Sequence, residues 1–186
     1  MNNLTYRNLS FLFIFSFISS VLNAQTAWTI QSGSIDFEIN NAGIPVDGSF
    51  GDLKGDLIFS SDRLEAVDLK ASVGVSTLET GIGARDEHLR KEEYFHLAKY
   101  PRISMEAVKV ESKGGNKYSG TFRLTIKGTS RLVTVPFTFQ QNGNKGTFQG
   151  KFAIDRRDYG VGGNSFIMGD EVRISIKVNV AKQTNG

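Results

Sequence analysis

From residue 35 onward, apolar side chains recur at every second position. Ile35, Phe37 and Ile39 alternate with their neighbours, as do Leu57 and Phe59, and then Val67, Leu69, Ala71, Val73 and Val75. Alternate residues of a strand face opposite sides of a sheet, so a period of two predicts strands with one apolar face. The pattern resumes with Ile103, Met105 and Ala107 and then shifts phase to Val108 and Val110, which predicts a β-bulge. Further strands carry Phe122, Leu124 and Ile126; Val133, Val135, Phe137 and Phe139; Phe148, Phe152 and Ile154; and Val172, Ile174, Ile176, Val178 and Val180. The total is eight or nine strands.

The connections between them are short and rich in turn formers, such as Asn40-Asn41-Ala42-Gly43, Lys113-Gly114-Gly115-Asn116 and Gln141-Asn142-Gly143-Asn144. Asn and Gly tolerate positive φ at low cost, so these segments predict hairpins and therefore antiparallel neighbours. Many short antiparallel strands leave a sandwich or a closed barrel as the candidates. Alternation alone is the same in both. One polar segment interrupts the strands: Arg85-Asp86-Glu87-His88-Leu89, followed by Tyr94-Phe95 and Tyr100-Pro101. It predicts a short helix near residues 86–97, with Asp86 as its cap and Glu87 in its first turn. Tyr94 and Phe95 would anchor that helix, and Pro101 would help end it before the next strand.

The amino terminus bears on compartment. Residues 1–8 are polar with Arg7 as the one charged side chain, residues 9–22 are apolar apart from four serines, and Ala24 offers a small residue for cleavage. This is the pattern of a secretory signal peptide over residues 1–24, and it predicts a periplasmic or secreted protein. As a helix, the apolar run would reach about 21 Å against a hydrocarbon core of roughly 30 Å. The chain has no cysteine, so neither a lipidated cysteine nor a disulfide is available. Removal of residues 1–24 takes away Arg7 and lowers the formal net charge from +3 to +2. The remaining 186 − 24 = 162 residues suffice for one domain with its own core, over residues 25–182, with a frayed tail at 183–186. So small a charge, with both signs interspersed, is not the footprint of a nucleic-acid binder.

Little in the chain points to catalysis. There is no cysteine nucleophile and no Gly-x-Ser-x-Gly elbow. Gly160-Val161-Gly162-Gly163 lacks the Gly-Lys-Ser/Thr ending of a phosphate loop and reads as a flexible hairpin, with Asp155, Arg156, Arg157 and Asp158 as solvated or paired charges beside it. His88, Glu92 and His96 fall at i, i+4 and i+8 and would share one helical face, which leaves a metal-assisted enzyme as an alternative. The interior of an eight-stranded barrel is either filled by its own side chains or holds one small ligand, and the alternation does not separate the two.

The polar insert, the later run Gly120-Thr121-Phe122-Arg123-Leu124-Thr125-Ile126-Lys127-Gly128 and Arg156-Arg157-Asp158-Tyr159-Gly160 together resemble the YceI-like family of exported lipid-binding proteins over residues 28–182. The resemblance implies an all-β fold: a single lipocalin-like antiparallel barrel of about eight strands, elongated around an apolar cavity. It further implies a long apolar ligand, such as a polyisoprenoid, an isoprenoid quinone or a fatty acyl compound, with no other cofactor. The candidate cavity residues are Phe37, Phe59, Phe95, Ile103, Met105, Phe122, Leu124, Ile126, Phe137, Phe139, Phe152 and Ile154, with Arg85 and His88 at the mouth or against a head group. Transient membrane contact and a monomer or homodimer complete the expectation, beside the alternatives of an enzyme and a ligand-free structural or stress-protective barrel. Family members commonly carry a His-Ser pair before the phenylalanine of the first main strand, where this chain has Gly33 and Ser34; they also tend to follow a Phe-Phe pair with aspartate, where it has Tyr94, Phe95 and His96.

Overall fold

The computed structural model describes residues 25–183, so the expected signal peptide and residues 184–186 lie outside the described residues. Among the described residues nine antiparallel strands follow one another: β1 (Ala27–Asn41), β2 (Ile44–Phe50), β3 (Lys54–Ile58), β4 (Asp68–Gly74), β5 (Arg102–Ser112), β6 (Lys117–Ile126), β7 (Thr129–Asn142), β8 (Lys145–Asp155) and β9 (Met168–Lys182). From β3 to β9 each strand pairs with the next, and β1 pairs with both β3 and β9. Eight strands thus close into a barrel, while β2 folds back on the upper part of β1 as a hairpin. Closure settles the choice that alternation left open between sandwich and barrel.

The β1–β9 ladder runs from Trp28 opposite Lys182 to Asn41 opposite Met168. On its other edge β1 meets β3 only at Ala27 and Trp28, and the pairing with β2 begins at Ile35. Between these the wall is completed by a side chain. Leu53 lies where a Cβ on Gly33 would come within 2.6 Å of its Cδ2. A histidine at position 33, as the family resemblance would have it, would require this leucine to move aside.

Inward faces follow the alternation of the sequence, because a closed sheet has one dry side. The predicted phase shift in β5 is a register shift between Ala107 and Lys109 opposite β6, with Val108 half exposed and Val110 buried. At the end of the barrel where β1 begins and β9 ends, Phe59 is fully buried and makes edge-on contacts with Tyr118, Phe139 and Phe148 at 5.2, 4.9 and 5.4 Å. Trp28 packs on Phe139 at 5.1 Å and donates its indole N–H to the Phe59 carbonyl at 2.9 Å. The floor is therefore solid. Gln183, expected in the frayed tail, donates its N–H to the Ala27 carbonyl at 2.9 Å, where the first strand begins.

The helical insert is shorter and earlier than its sequence suggests. Helix α1 spans Gly83–Leu89 with Ile82 as its cap, and turns carry the chain from Arg90 to Tyr100. Asp86 does not cap the helix. It turns back to accept from the Thr80 N–H at 2.9 Å and the Thr80 hydroxyl at 2.5 Å, and so ties α1 to the strand connection before it.

Truncating Phe59 to alanine removes the centre of the aromatic floor. The expected loss is about 3–5 kcal/mol of stability, read from denaturant unfolding followed by the fluorescence of Trp28.

Candidate ligand cavity

Above the floor the barrel is not filled. A cavity of about 460 Å³ lies between the walls, within the range of small-molecule sites. Phe137 and Phe148 form its bottom, and Phe37, Met105, Phe122, Leu124 and Phe152 line its middle, with Ile103, Ile126 and Ile154 toward the top. Phe95 of the insert closes over them and meets Phe50 edge-on at 5.5 Å. Phe59 and Phe139 do not reach the cavity. Both belong to the aromatic cluster beneath it: Phe59 follows the end of β3, Phe139 lies two residues beyond Phe137 on β7, and their rings fill the narrowing end.

Sequence reading overlooks much of the lining. Ile35, Ile39, Val172, Ile174, Ile176 and Val178 of β1 and β9 all face in, as their alternation would have allowed. Leu53 and Leu57 from the β3 side, and Tyr94, Tyr159 and Val161 from the upper loops, have no periodic signal that separates lining from filling.

Arg85 and His88 both line the upper cavity, and exposed His88 and Ile167 place the mouth between α1 and the loop before β9. The guanidinium of Arg85 is held locally: Nε donates to the Thr80 hydroxyl and Nη2 to the Thr80 carbonyl, both at 2.7 Å. Thr80 donates its own hydroxyl proton to Asp86, so one threonine joins the two charges. His88 packs edge-on against Tyr94 at 5.0 Å and lies 3.6 Å from a Glu93 oxygen. The shared helical face of His88, Glu92 and His96 does not form, because α1 ends at Leu89. His96 instead takes a left-handed backbone with φ 51° and packs on Tyr100 at 5.7 Å. Among the described residues no group of three His, Cys, Asp or Glu side chains stands together to hold a metal.

Arg156 is the largest departure from the expected pattern. Instead of a solvated strand-end charge it is 3% exposed and lines the cavity top. It donates to the carbonyls of Val161 and Gly163 at 2.7 Å, Gly169 at 2.8 Å and Met168 at 3.2 Å, and to Asp170 Oδ1 at 2.8 Å. A guanidinium offers five N–H donors in a rigid fork, and here they bind both legs of the loop between β8 and β9. That loop is no free hairpin. Gly162, with φ +72°, donates to the Glu93 carbonyl at 2.9 Å, and a Cβ there would come 2.8 Å from the Tyr94 ring. The buried Tyr159 hydroxyl beside it has no partner among the described residues. Burial raises the phenol pKa of Tyr159, with Asp158 adding to the rise and Arg131 opposing it, and burial likewise raises that of Tyr118.

A closed eight-stranded barrel with an apolar interior, a short helical insert and a solid floor is thus in place, and over residues 28–180 the sequence matches the YceI-like domain. The chain belongs to the YceI-like family. Among relatives, a UPF0312 protein of Azotobacter vinelandii is 24% identical over 160 residues, covering 82% of this chain and 83% of its own. A UPF0312 protein of Yersinia pestis is 30% identical over 115 residues, covering 61% of this chain and 59% of its own. Among solved structures, BcnA of Burkholderia cenocepacia superposes with a TM-score of 0.75 at 26% identity, covering 79% of this chain and 95% of BcnA. A polyisoprenoid-binding domain from Saccharophagus degradans has a TM-score of 0.70 at 12% identity over 86% of this chain and 99% of that domain, a likeness of fold alone.

Replacing Arg156 with methionine keeps the bulk but strands four carbonyls. The expected cost is about 1.5–3 kcal/mol or more, with new proteolytic cleavage within residues 160–169, and Arg156→Lys should not restore protection because an ammonium cannot reach both legs of the loop. At alkaline pH the two tyrosines act in one direction. Their neutral forms are favoured by folding, so their contribution is complete below the unfolded phenol value near 10 and is lost as pH rises through the raised folded values. Unfolding midpoints should fall above about pH 10, and more shallowly in a Tyr118→Phe, Tyr159→Phe double variant.

Proposed function

We propose that this protein is an exported carrier that holds one long apolar lipid, of the polyisoprenoid, isoprenoid quinone or fatty acyl class, in the barrel for transport or sequestration in the periplasm or outside the cell. The observation that carries this reading is the cavity: apolar from Phe137 and Phe148 to Ile126 and Ile154, closed below by the aromatic floor and reaching the surface beside α1. The likeness of fold to the polyisoprenoid-binding domain of Saccharophagus degradans supports the choice of ligand class.

The chemistry is that of hydrophobic transfer. Each buried methylene contributes about 0.8 kcal/mol, so ten supply roughly 8 kcal/mol, near micromolar affinity before the costs of association. Longer chains gain more. An apolar tube measures length and girth, and discriminates weakly between ligands of similar shape. The polar groups at the mouth, Arg85 and His88, face the end of the ligand that remains in water, where a polar head would lie.

Organic extraction of the gently purified mature protein, followed by mass spectrometry, should release one apolar species near one per protein. As an independent check, Met105→Trp fills the middle of the cavity and should lower uptake of an apolar fluorescent probe at least about tenfold, at a stability cost of about 1–3 kcal/mol. A folded Met105→Trp variant that takes up the probe as well as the parent would remove the cavity from the account, and an empty extract from folded protein would favour a ligand-free barrel.

A further inference from the structure

The outer stretches of the two loops on the β1 and β9 side of the mouth carry no charge, the charges of the β8–β9 connection being held at its start in Arg156, Arg157 and Asp158. Residues 39–46 read Ile-Asn-Asn-Ala-Gly-Ile-Pro-Val and residues 159–169 read Tyr-Gly-Val-Gly-Gly-Asn-Ser-Phe-Ile-Met-Gly. Both display large apolar side chains to solvent: Phe166 is fully exposed, and Ile44 and Ile167 are 67% and 65% exposed. At the floor end the corresponding loops carry Asp62, Glu65 and Lys113, and among the described residues no exposed large apolar side chain lies in those loops. An exposed apolar patch confined to one end, and at the mouth of a cavity, marks an interaction surface.

The patch is also built. The Ala42 N–H donates to the Ile167 carbonyl at 2.5 Å, joining the two loops. The Ser165 hydroxyl oxygen accepts from the N–H groups of Ile167 and Met168 at 3.3 and 3.1 Å, which forms the turn that presents Phe166. Arg156 grips the carbonyls of Gly163 and Met168 on either side of it. A loop braced in this way holds Phe166 outward without a cover from the described residues. Ile167 is at once exposed and part of the cavity lining, so the outer patch and the inner wall are one continuous apolar surface.

We propose that this rim, centred on Phe166, Ile167 and Ile44, inserts into the surface of a lipid bilayer and sets the cavity mouth against it. The inference rests on the carrier reading and names its partner. Apolar side chains on uncharged stretches fit the boundary between head groups and acyl chains, where Phe and Ile gain from burial and no charge must be desolvated. Across the mouth, α1 carries Glu87 and His88 in solvent, so the protein meets the bilayer tilted, rim first. The attachment depends on area and not on charge, and therefore responds little to salt.

Flotation of the mature protein with phosphatidylcholine vesicles tests this directly. The parent should float at low and high salt alike, and a Phe166→Asp, Ile44→Asp variant, altered at two rim residues outside the cavity lining, should float at least about tenfold less while taking up a water-dispersed apolar probe as the parent does. Leu132→Asp, an exposed apolar residue on the barrel wall, should change neither. In Phe166→Trp, the new indole should shift to the blue on vesicle addition, because the native Trp28 is buried at the far end. The proposal is overturned if the parent does not float, if the Asp variant floats equally, if the emission of the introduced indole stays put, or if sedimentation shows the rim buried against a second copy of the chain. Failure of the carrier reading is separate: it appears as no probe uptake by parent or variant, whatever the vesicles show.

Discussion

Pairing of β1 with β9 is the constraint on which the rest depends. Without it the strands would form an open, twisted sheet with one apolar face in water and two bare edges; with it, every inward side chain from β1 to β9 shares one enclosed interior. That interior is too wide for the side chains it receives over its upper part, and narrow enough at the floor for Phe59, Phe139 and Tyr118 to meet. Solid floor and hollow upper barrel are two outcomes of the same closure, set by which residues the alternation delivers to each level.

The upper end is organised by charge rather than by area. Arg85 and Asp86 converge on Thr80, and Arg156 gathers four carbonyls and Asp170, so the connections over the barrel top are held by fixed hydrogen bonds from buried or half-buried groups. A guanidinium removed from water is stable only when its donors are all engaged, and the engagement in turn dictates the shape of the loop. The mouth therefore has a defined rim around a predominantly apolar interior.

The fold is legible in the sequence because a period of two has one meaning at these lengths, and even the bulge after Ala107 shows as a change of phase. Much of the cavity wall is legible for the same reason: Phe37, Met105, Phe122, Leu124 and Phe152 alternate and face in. Alternation carries no information about height along the barrel, so Phe59 and Phe139 look identical to Phe137 although they fill the floor. The helix begins earlier than its sequence suggests because Asp86 has the chemistry of a cap and spends it on Thr80 instead. Arg156 has the sequence context of a surface charge, in a run of charges and glycines; its burial depends on carbonyls that become neighbours only when β8 and β9 are paired.

Trp28, seated under Phe139 and bonded to the Phe59 carbonyl, makes the barrel a blind tube rather than a channel. A guest in a blind tube keeps the order of its ends: whichever end goes in first comes out last, and nothing can pass through. Loading and delivery are then the same movement run in opposite directions, and what differs between donor and acceptor must lie in the surroundings, since the container presents the same face to both.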